Sequence, residues 1–185
     1  MRVRSILLAS FAIAACASAT TLQQLSLDDM IQQSTAIVRA KVTGSSSGLR
    51  GQNIYTYYHL QILETAKGGS AREIDVAVPG GTANGMREMV VGAPALTTGS
   101  QYVVFLWTGR SGLTQIIGLS QGLFLASPDG AGKINLTRPA GADLMLDKSG
   151  KAVSEQPLGL DWSDLRSRVH QELAGRQSTQ QEQGK

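Results

Sequence analysis

The chain of 185 residues has one cysteine, Cys16, and it lies inside an N-terminal apolar stretch. Once that stretch is removed, thiolate catalysis and an intrachain disulfide are both excluded. Histidine is nearly as scarce: His59 and His170 are the only two. Neither belongs to an HxxxH or HxH pair, and a zinc site needs three or four N, S or carboxylate ligands. No metal and no cofactor is therefore expected. A Gly-x-Ser-x-Gly elbow is absent, and "DGAGKI" at Gly132 and Lys133 lacks the first glycine and the closing Ser/Thr of a phosphate loop. With no group placed for nucleophilic or acid–base work, the expectation is a protein that is not an enzyme. No run beyond residue 19 is long and apolar enough to cross a bilayer as a helix, which takes about 20 residues. An excess of charge is missing too. Without residues 1–19 the chain holds 15 Lys+Arg against 14 Asp+Glu, a net charge of +1. The charges are interspersed, so nucleic acid, which calls for a basic face or stripe, is not an expected partner.

The N-terminus itself is informative. Arg2 and Arg4 precede an apolar run from Ile6 to Ala15, and Ala17-Ser18-Ala19 has the small-x-small pattern of signal peptidase. Residues 1–19 read as a secretory signal of bacterial type, with Thr20 as the first mature residue. Ile13-Ala14-Ala15-Cys16 also fits a lipobox, in which Cys16 would be acylated. The protein is thus expected to be exported, periplasmic or extracellular, with no membrane contact unless lipidated at Cys16. Residues 20–175 are long enough for a single domain with a sizeable core. Residues 176–185 are polar and Gln-rich and are expected to form a disordered tail.

Patterning predicts a mainly β fold. Ser26-Leu27-Asp28-Asp29 has capping-box spacing and opens a short helix to about Ser34, with Leu27, Met30 and Ile31 on its apolar face. "AIVRAKVT" (36–43) alternates, with Val38, Ala40 and Val42 inward. "GSSSGLRGQN" reads as a flexible hairpin connection. "IYTYYHLQILET" (54–65) puts Ile54, Tyr58, Leu60 and Ile62 on one face and Tyr55, Tyr57, His59 and Gln61 on the other. "EIDVAVP" is a further strand, and Met86–Val91 a short one. Gln101–Thr108 is apolar almost throughout and so is expected to be central. "LTQIIGL", "GLFLAS" and "KINLT" follow as short strands. A C-terminal helix is capped by Asp161, ends at Gly175 and buries Trp162, Leu165, Val169 and Leu173. Many short strands with helix only at the ends imply a small antiparallel barrel or sandwich. Five to seven strands are expected.

"LSLDDMIQQSTAIVRAKV", "IYTYYHLQILETAKGG", "VPGGTANGMREMVVGAPALTTGSQYVVFLW" and "GLSQGLFLAS" together cover most of residues 25–127. In these pieces the chain resembles a family of secreted bacterial proteins of unassigned function. It departs mildly from that pattern at Ala40, where the family has glycine, and at Ala66, where it has leucine. The order of elements is also similar to the netrin-like OB barrel of tissue inhibitors of metalloproteinases. The resemblance implies an OB-like barrel, to which the patterning adds the short N-terminal and the amphipathic C-terminal helix. Family members are often encoded near matrixin-like proteases, so the resemblance implies a secreted protease as partner. The inhibitors present a disulfide-tethered N-terminal cysteine to the protease zinc; a Thr20 terminus without disulfides departs from that. No catalytic residue carries over.

Two places are candidates for binding a protein or peptide ligand. One is the loop holding Gly80, Gly81, Thr82, Asn84 and Gly85, whose glycines allow positive φ and backbone N–H groups aimed at a ligand. Asn84 is taken there as an exposed side chain with no need of positive φ. The competing reading, and the favoured one, is that this loop is only a wide connection between two strands. The other place is the polar strand face of Tyr55, Tyr57 and His59. The sequence therefore predicts a secreted, non-enzymatic binding module, and the resemblance implies a partner or inhibitor of a secreted metalloprotease. An envelope structural protein or lipoprotein anchored through Cys16 is the alternative, and an uncharacterised enzyme the third reading.

Overall fold

The computed structural model describes residues 22–138, 145–153 and 160–183, with side chains described through Arg176 in the last helix. Thr20, Cys16 and the expected cleavage site lie outside the described residues. In chain order the elements are β1 (Leu22–Gln23), α1 (Leu27–Gln33), β2 (Ala36–Arg50), β3 (Asn53–Lys67), β4 (Glu73–Pro79), β5 (Gly81–Ala83), β6 (Met86–Glu88), β7 (Gln101–Thr108), β8 (Thr114–Ile116), β9 (Leu123–Pro128), β10 (Ile134–Thr137), β11 (Met145–Leu146), β12 (Ala152–Val153), β13 (Leu160–Asp161) and α2 (Trp162–Gln183).

The fold is mainly β, as expected. The main sheet runs β13-β10-β9-β7-β2-β3-β4, with β8 paired to β7 off that path, so it has eight strands rather than five to seven. Its ladders are antiparallel. β1, β11 and β12 form a separate small sheet in which β1 and β11 are parallel. The sheet curls until β4 lies beside β8, with Cα atoms within 8 Å. Among the described residues no ladder joins those two strands. The described residues therefore form no closed barrel: β8 is paired on its β7 edge and β4 on its β3 edge, and the two edges that meet form no ladder.

Both faces of the sheet are buried at its base. Val38, Ala40, Val42, Leu60, Val76 and Val104 fill the inside of the curl. Ile37, Ala66, Val103, Phe105 and Phe124 form the other core, against α1 and α2. The central position of β7 explains why nearly every residue of Gln101–Thr108 is apolar: alternate residues serve different cores.

The capping box forms as the sequence predicts. Ser26 Oγ accepts from Asp29 N at 3.1 Å, and Asp29 Oδ2 accepts from Ser26 N at 3.2 Å. Lys67 Nζ donates to the carbonyls of Ile31 and Gln32 at the other end of α1. Desolvation there, with the Arg176 charge, lowers the Lys67 pKa. α2 is capped by Asp161, whose Oδ1 accepts from Asp164 N at 2.9 Å and whose Oδ2 meets Lys133 Nζ at 2.6 Å. Those hydrogen bonds, Lys133 first, hold the Asp161 carboxyl well below the usual carboxylate range.

Two expectations are corrected. "GSSSGLRGQN" is not a loose connection: residues through Arg50 continue β2, and the turn is only Gly51–Gln52, with Gly51 at φ +64°. Backbone pairing with Asn53–His59 holds this stretch, so its side chains need no apolar pattern. The C-terminal helix also passes Gly175 and runs to Gln183, so the expected polar tail is helical up to that point. One glycine costs a helix only about 1 kcal/mol relative to alanine, and the Arg, Gln and Glu that follow are good helix formers.

Glu64 fastens α2 to the sheet. A register shift near Leu63 turns Glu64 to the helix side. There Glu64 accepts from Trp162 Nε1 at 2.7 Å and from Arg166 Nη1 at 3.2 Å, and pairs with Arg39. Burial pushes its pKa up, but the Trp162 and Arg39 bonds outweigh this and hold the carboxyl below its ordinary value. Trp162 itself is buried among the helix-side core. Trp162→Ala should cost about 3–5 kcal/mol. Trp162→Phe, which keeps a ring but removes the donor to Glu64, should cost about 1.5–3 kcal/mol. Denaturant titration checks both, and an alanine cost below about 1 kcal/mol would mean that α2 is peripheral.

Candidate functional site

The glycine-rich loop turns out to be a folded hairpin. Gly81–Ala83 pairs with Met86–Glu88 across an Asn84–Gly85 turn, so the expected 86–91 strand is shorter and gains a partner. Asn84 has φ +50° and Gly85 φ +74°, the left-handed pair a two-residue hairpin turn requires. The expectation that Asn84 is free of positive φ is thereby corrected. Gly80 and Gly81, at φ +96° and +138°, bend the chain back over the inner face of the β2–β3 arm. A Cβ on Gly81 would sit 2.6 Å from Thr56 Oγ1 and 2.9 Å from Ser47 Oγ. One on Gly80 would meet Glu88 O at 3.1 Å and Val90 N at 3.5 Å. Thr56 Oγ1 donates to Gly80 O, and Glu88 Oε2 accepts from Ile54 N at 2.7 Å. Thr82 and the Asn84–Gly85 tip are exposed. The hairpin's fixed contacts are thus with its own chain.

Tyr55, Tyr57 and His59 occupy the opposite face of the arm. Across the ladders they stand between Gly48, Ser46 and Gly44 on β2 and Pro79, Ala77 and Asp75 on β4. The two tyrosine rings are half-buried, with centroids 6.3 Å apart. His59 Nδ1 lies 2.7 Å from Asp75 Oδ1 in an exposed pair. The two groups of residues expected to bind are therefore not brought together on one face.

A cavity of about 550 Å³ opens where β4 passes β8. Ala77, Val78 and Pro79 form one wall, Gln115 and Ile116 the other. Pro94, Trp107 and the end of α1 at Gln33 complete the mouth, and Ile117, Gly118 and Leu119 form a third side. No charged side chain lines it. Its third side is rigidly built. Gly118 and Leu119 are both left-handed, at φ +60° and +63°, a conformation uncommon for leucine. Next to them Gln121, 1 % exposed, accepts from Leu25 N at 2.7 Å and donates to Gln23 O at 2.9 Å. That buried amide pins the turn to the N-terminal segment.

Large apolar side chains are exposed at the cavity and on the segment that leads to it. Trp107 is 47 % exposed and lines the cavity, while Met89 and Val91, on the segment leading to Pro94, are 79 % and 68 % exposed. Sequence reasoning missed them. Trp107 was assigned to a strand, and the stretch 78–107 was searched at its glycines rather than at its two ends, both of which line the cavity. The signal was there as Met and Val with no partner in the alternation. Ala77 and Pro79 also connect this cavity to the tyrosines, which face them across the β3–β4 ladder.

Among the described residues no three His, Cys, Asp or Glu side chains come together to hold a metal ion. No family model matches the chain, and neither a curated protein nor a solved structure matches it.

The hairpin's role is measurable. Gly81→Ala should destabilise by about 1–3 kcal/mol, from the clash and the strained φ. Asn84→Gly should stay within about 0.5 kcal/mol. Equal, small effects in denaturant titration would contradict a close-packed Gly81.

Proposed function

We propose that the protein is an exported, non-enzymatic binding module, built as an OB-like barrel left open at one seam, and that it captures a protein or peptide partner at that seam. The observation that carries this reading is the neutral, mostly apolar cavity between β4 and β8, lined by half-exposed Trp107, with Met89 and Val91 exposed on the segment that leads to its Pro94. Exposed apolar side chains around a preformed cleft mark binding surfaces. Tryptophan supplies a large rigid anchor, and methionine adapts to irregular contacts. A nucleophile, acid or base is not among the cavity's side chains, which favours capture over chemistry. The resemblance alone points to a secreted protease as that partner.

Capture by the immobilised protein tests this. Trp107→Ala should reduce partner capture about tenfold or more, as truncation of a central anchor costs roughly 2 kcal/mol. Stability should change little at this half-exposed position. Thr82→Ala, on the hairpin, should leave capture unchanged. Wild-type capture by Trp107→Ala would remove the cavity as the site, and loss in Thr82→Ala would return attention to the hairpin.

A further inference from the structure

We propose that Ser46, His59 and Asp75 form a nucleophilic site at which Ser46 accepts an acyl group from an activated carboxylic ester. None of the three lines the cavity, so the site goes beyond the binding reading and does not rest on it.

The three side chains stand on neighbouring strands, β2, β3 and β4. Asp75 Oδ1 lies 2.7 Å from His59 Nδ1. A carboxylate only accepts, so Nδ1 carries the ring proton and Nε2 is left bare as an acceptor. Nε2 stands 3.5 Å from Ser46 Oγ, the looser spacing of a nucleophile and its base without substrate. Asp75 thus positions the ring, His59 is the base and Ser46 the nucleophile, the roles that define a serine triad.

Register decides which serine is there. Ser45, Ser46 and Ser47 are consecutive, and alternate residues of a strand share a face. Val42 pairs with Leu60, yet Gly44 pairs with His59, so Thr43 is the extra residue of a bulge. Without that shift Ser45 would stand opposite Tyr57; with it, Ser46 does. Bulges re-aim side chains in this way beside functional sites. Thr43 Oγ1 donates to His59 O at 3.0 Å and ties the bulge to β3. The His59 ring passes over Gly44, where a Cβ would already touch Cδ2 at 3.7 Å.

In the step, Ser46 Oγ attacks the ester carbonyl carbon while His59 Nε2 takes the hydroxyl proton. The bond from that carbon to the leaving oxygen then breaks, and His59 returns the proton to that oxygen. The products are acyl-Ser46 and a free phenol or alcohol. Transfer to the protein's own serine is a single event without turnover. Ser46 and Asp75 are exposed, and the His59 side chain is 44 % exposed, so water meets the developing oxyanion. Such a site is confined to esters with a good leaving group. Tyr57, paired with Ser46 and with its ring 6.3 Å from that of Tyr55, offers aromatic surface beside the hydroxyl. That surface suits an aryl ester.

The test treats the protein with p-nitrophenyl acetate and locates acetyl groups by peptide mass spectrometry. Ser45 and Ser47 face the other side of the ladder and are internal references. Ser46 should be acetylated about a hundredfold faster than either, the low end of the about 10²–10⁴ that a positioned base contributes. His59→Gln should remove that advantage. Asp75→Asn should slow labelling about tenfold, because an amide donating to Nδ1 leaves the proton on Nε2, the wrong tautomer. Asp75→Glu should retain more of the rate than Asp75→Asn. Ser46→Ala should abolish the p-nitrophenol burst. Thermal unfolding should change little in all four variants. Equal labelling of the three serines, or no label on Ser46, would overturn the assignment. So would unchanged Ser46 labelling in His59→Gln, or an undiminished burst in Ser46→Ala, which would mean that His59 reacts by itself.

Discussion

Strand β2 has to satisfy two cores at once, and the rest of the molecule follows from how it does so. Ile37 points to the helices, while Val38, Ala40 and Val42 point into the curl. No disulfide is available to compensate for a poor fit on either side. Register shifts at Ile37/Val38, Arg39/Ala40 and Val42/Gly44 adjust the pairing with β3. Bulges of this kind bend a strand and sharpen its twist, and here they accompany the curl that carries β4 round to β8. The same irregularity directs Glu64 to the helix side, where Trp162, Arg39 and Arg166 gather on its carboxylate. Helix docking and sheet curvature thus depend on one strand pair.

The seam is what this curvature leaves unfinished. β4 arrives beside β8 but forms no ladder with it, and the gap at Ala77–Pro79 becomes a cavity rather than a paired edge. An open edge is a hazard for a protein, because unpaired strands recruit others. Here Pro79 removes one donor, and the β5–β6 hairpin and the segment to Pro94 crowd the end of β4. The opposite side is held by the left-handed Gly118–Leu119 turn and the Gln121 amide bonds to Gln23 and Leu25. The cavity is therefore a built feature, with half-exposed Trp107 at its mouth.

Much of this was legible in the sequence. The Ser26–Asp29 box, the alternation of Val38, Ala40 and Val42, the continuous apolar run of β7 and the Trp162–Leu165–Val169 stripe all describe local periodicity, and each is found where the pattern puts it. What was not legible depends on partners distant in the chain. Gly44–Arg50 carries no strand pattern because backbone pairing with β3, rather than apolar burial, holds it. Gly175 carried a stop signal that its flanking residues overrode. The glycines at 80 and 81 drew attention as a ligand cradle, yet their reason is the close approach of Ser47, Thr56 and Glu88. The cavity itself joins residues from five separate parts of the chain, and no local pattern announces such a meeting. Whether a sheet closes is likewise decided by the relation of β4 to β8, thirty-odd residues apart, and not by either strand's own sequence.

Amide hydrogen exchange of the protein with and without its captured partner tests the central claim most directly. The account predicts slowed exchange at Ala77 and Val78 and along Gln115–Leu119, the two sides of the seam, with the Asn84–Gly85 tip and the outer turns of α2 unchanged. Protection confined to the hairpin tip or to α2, with the seam unaffected, would contradict it.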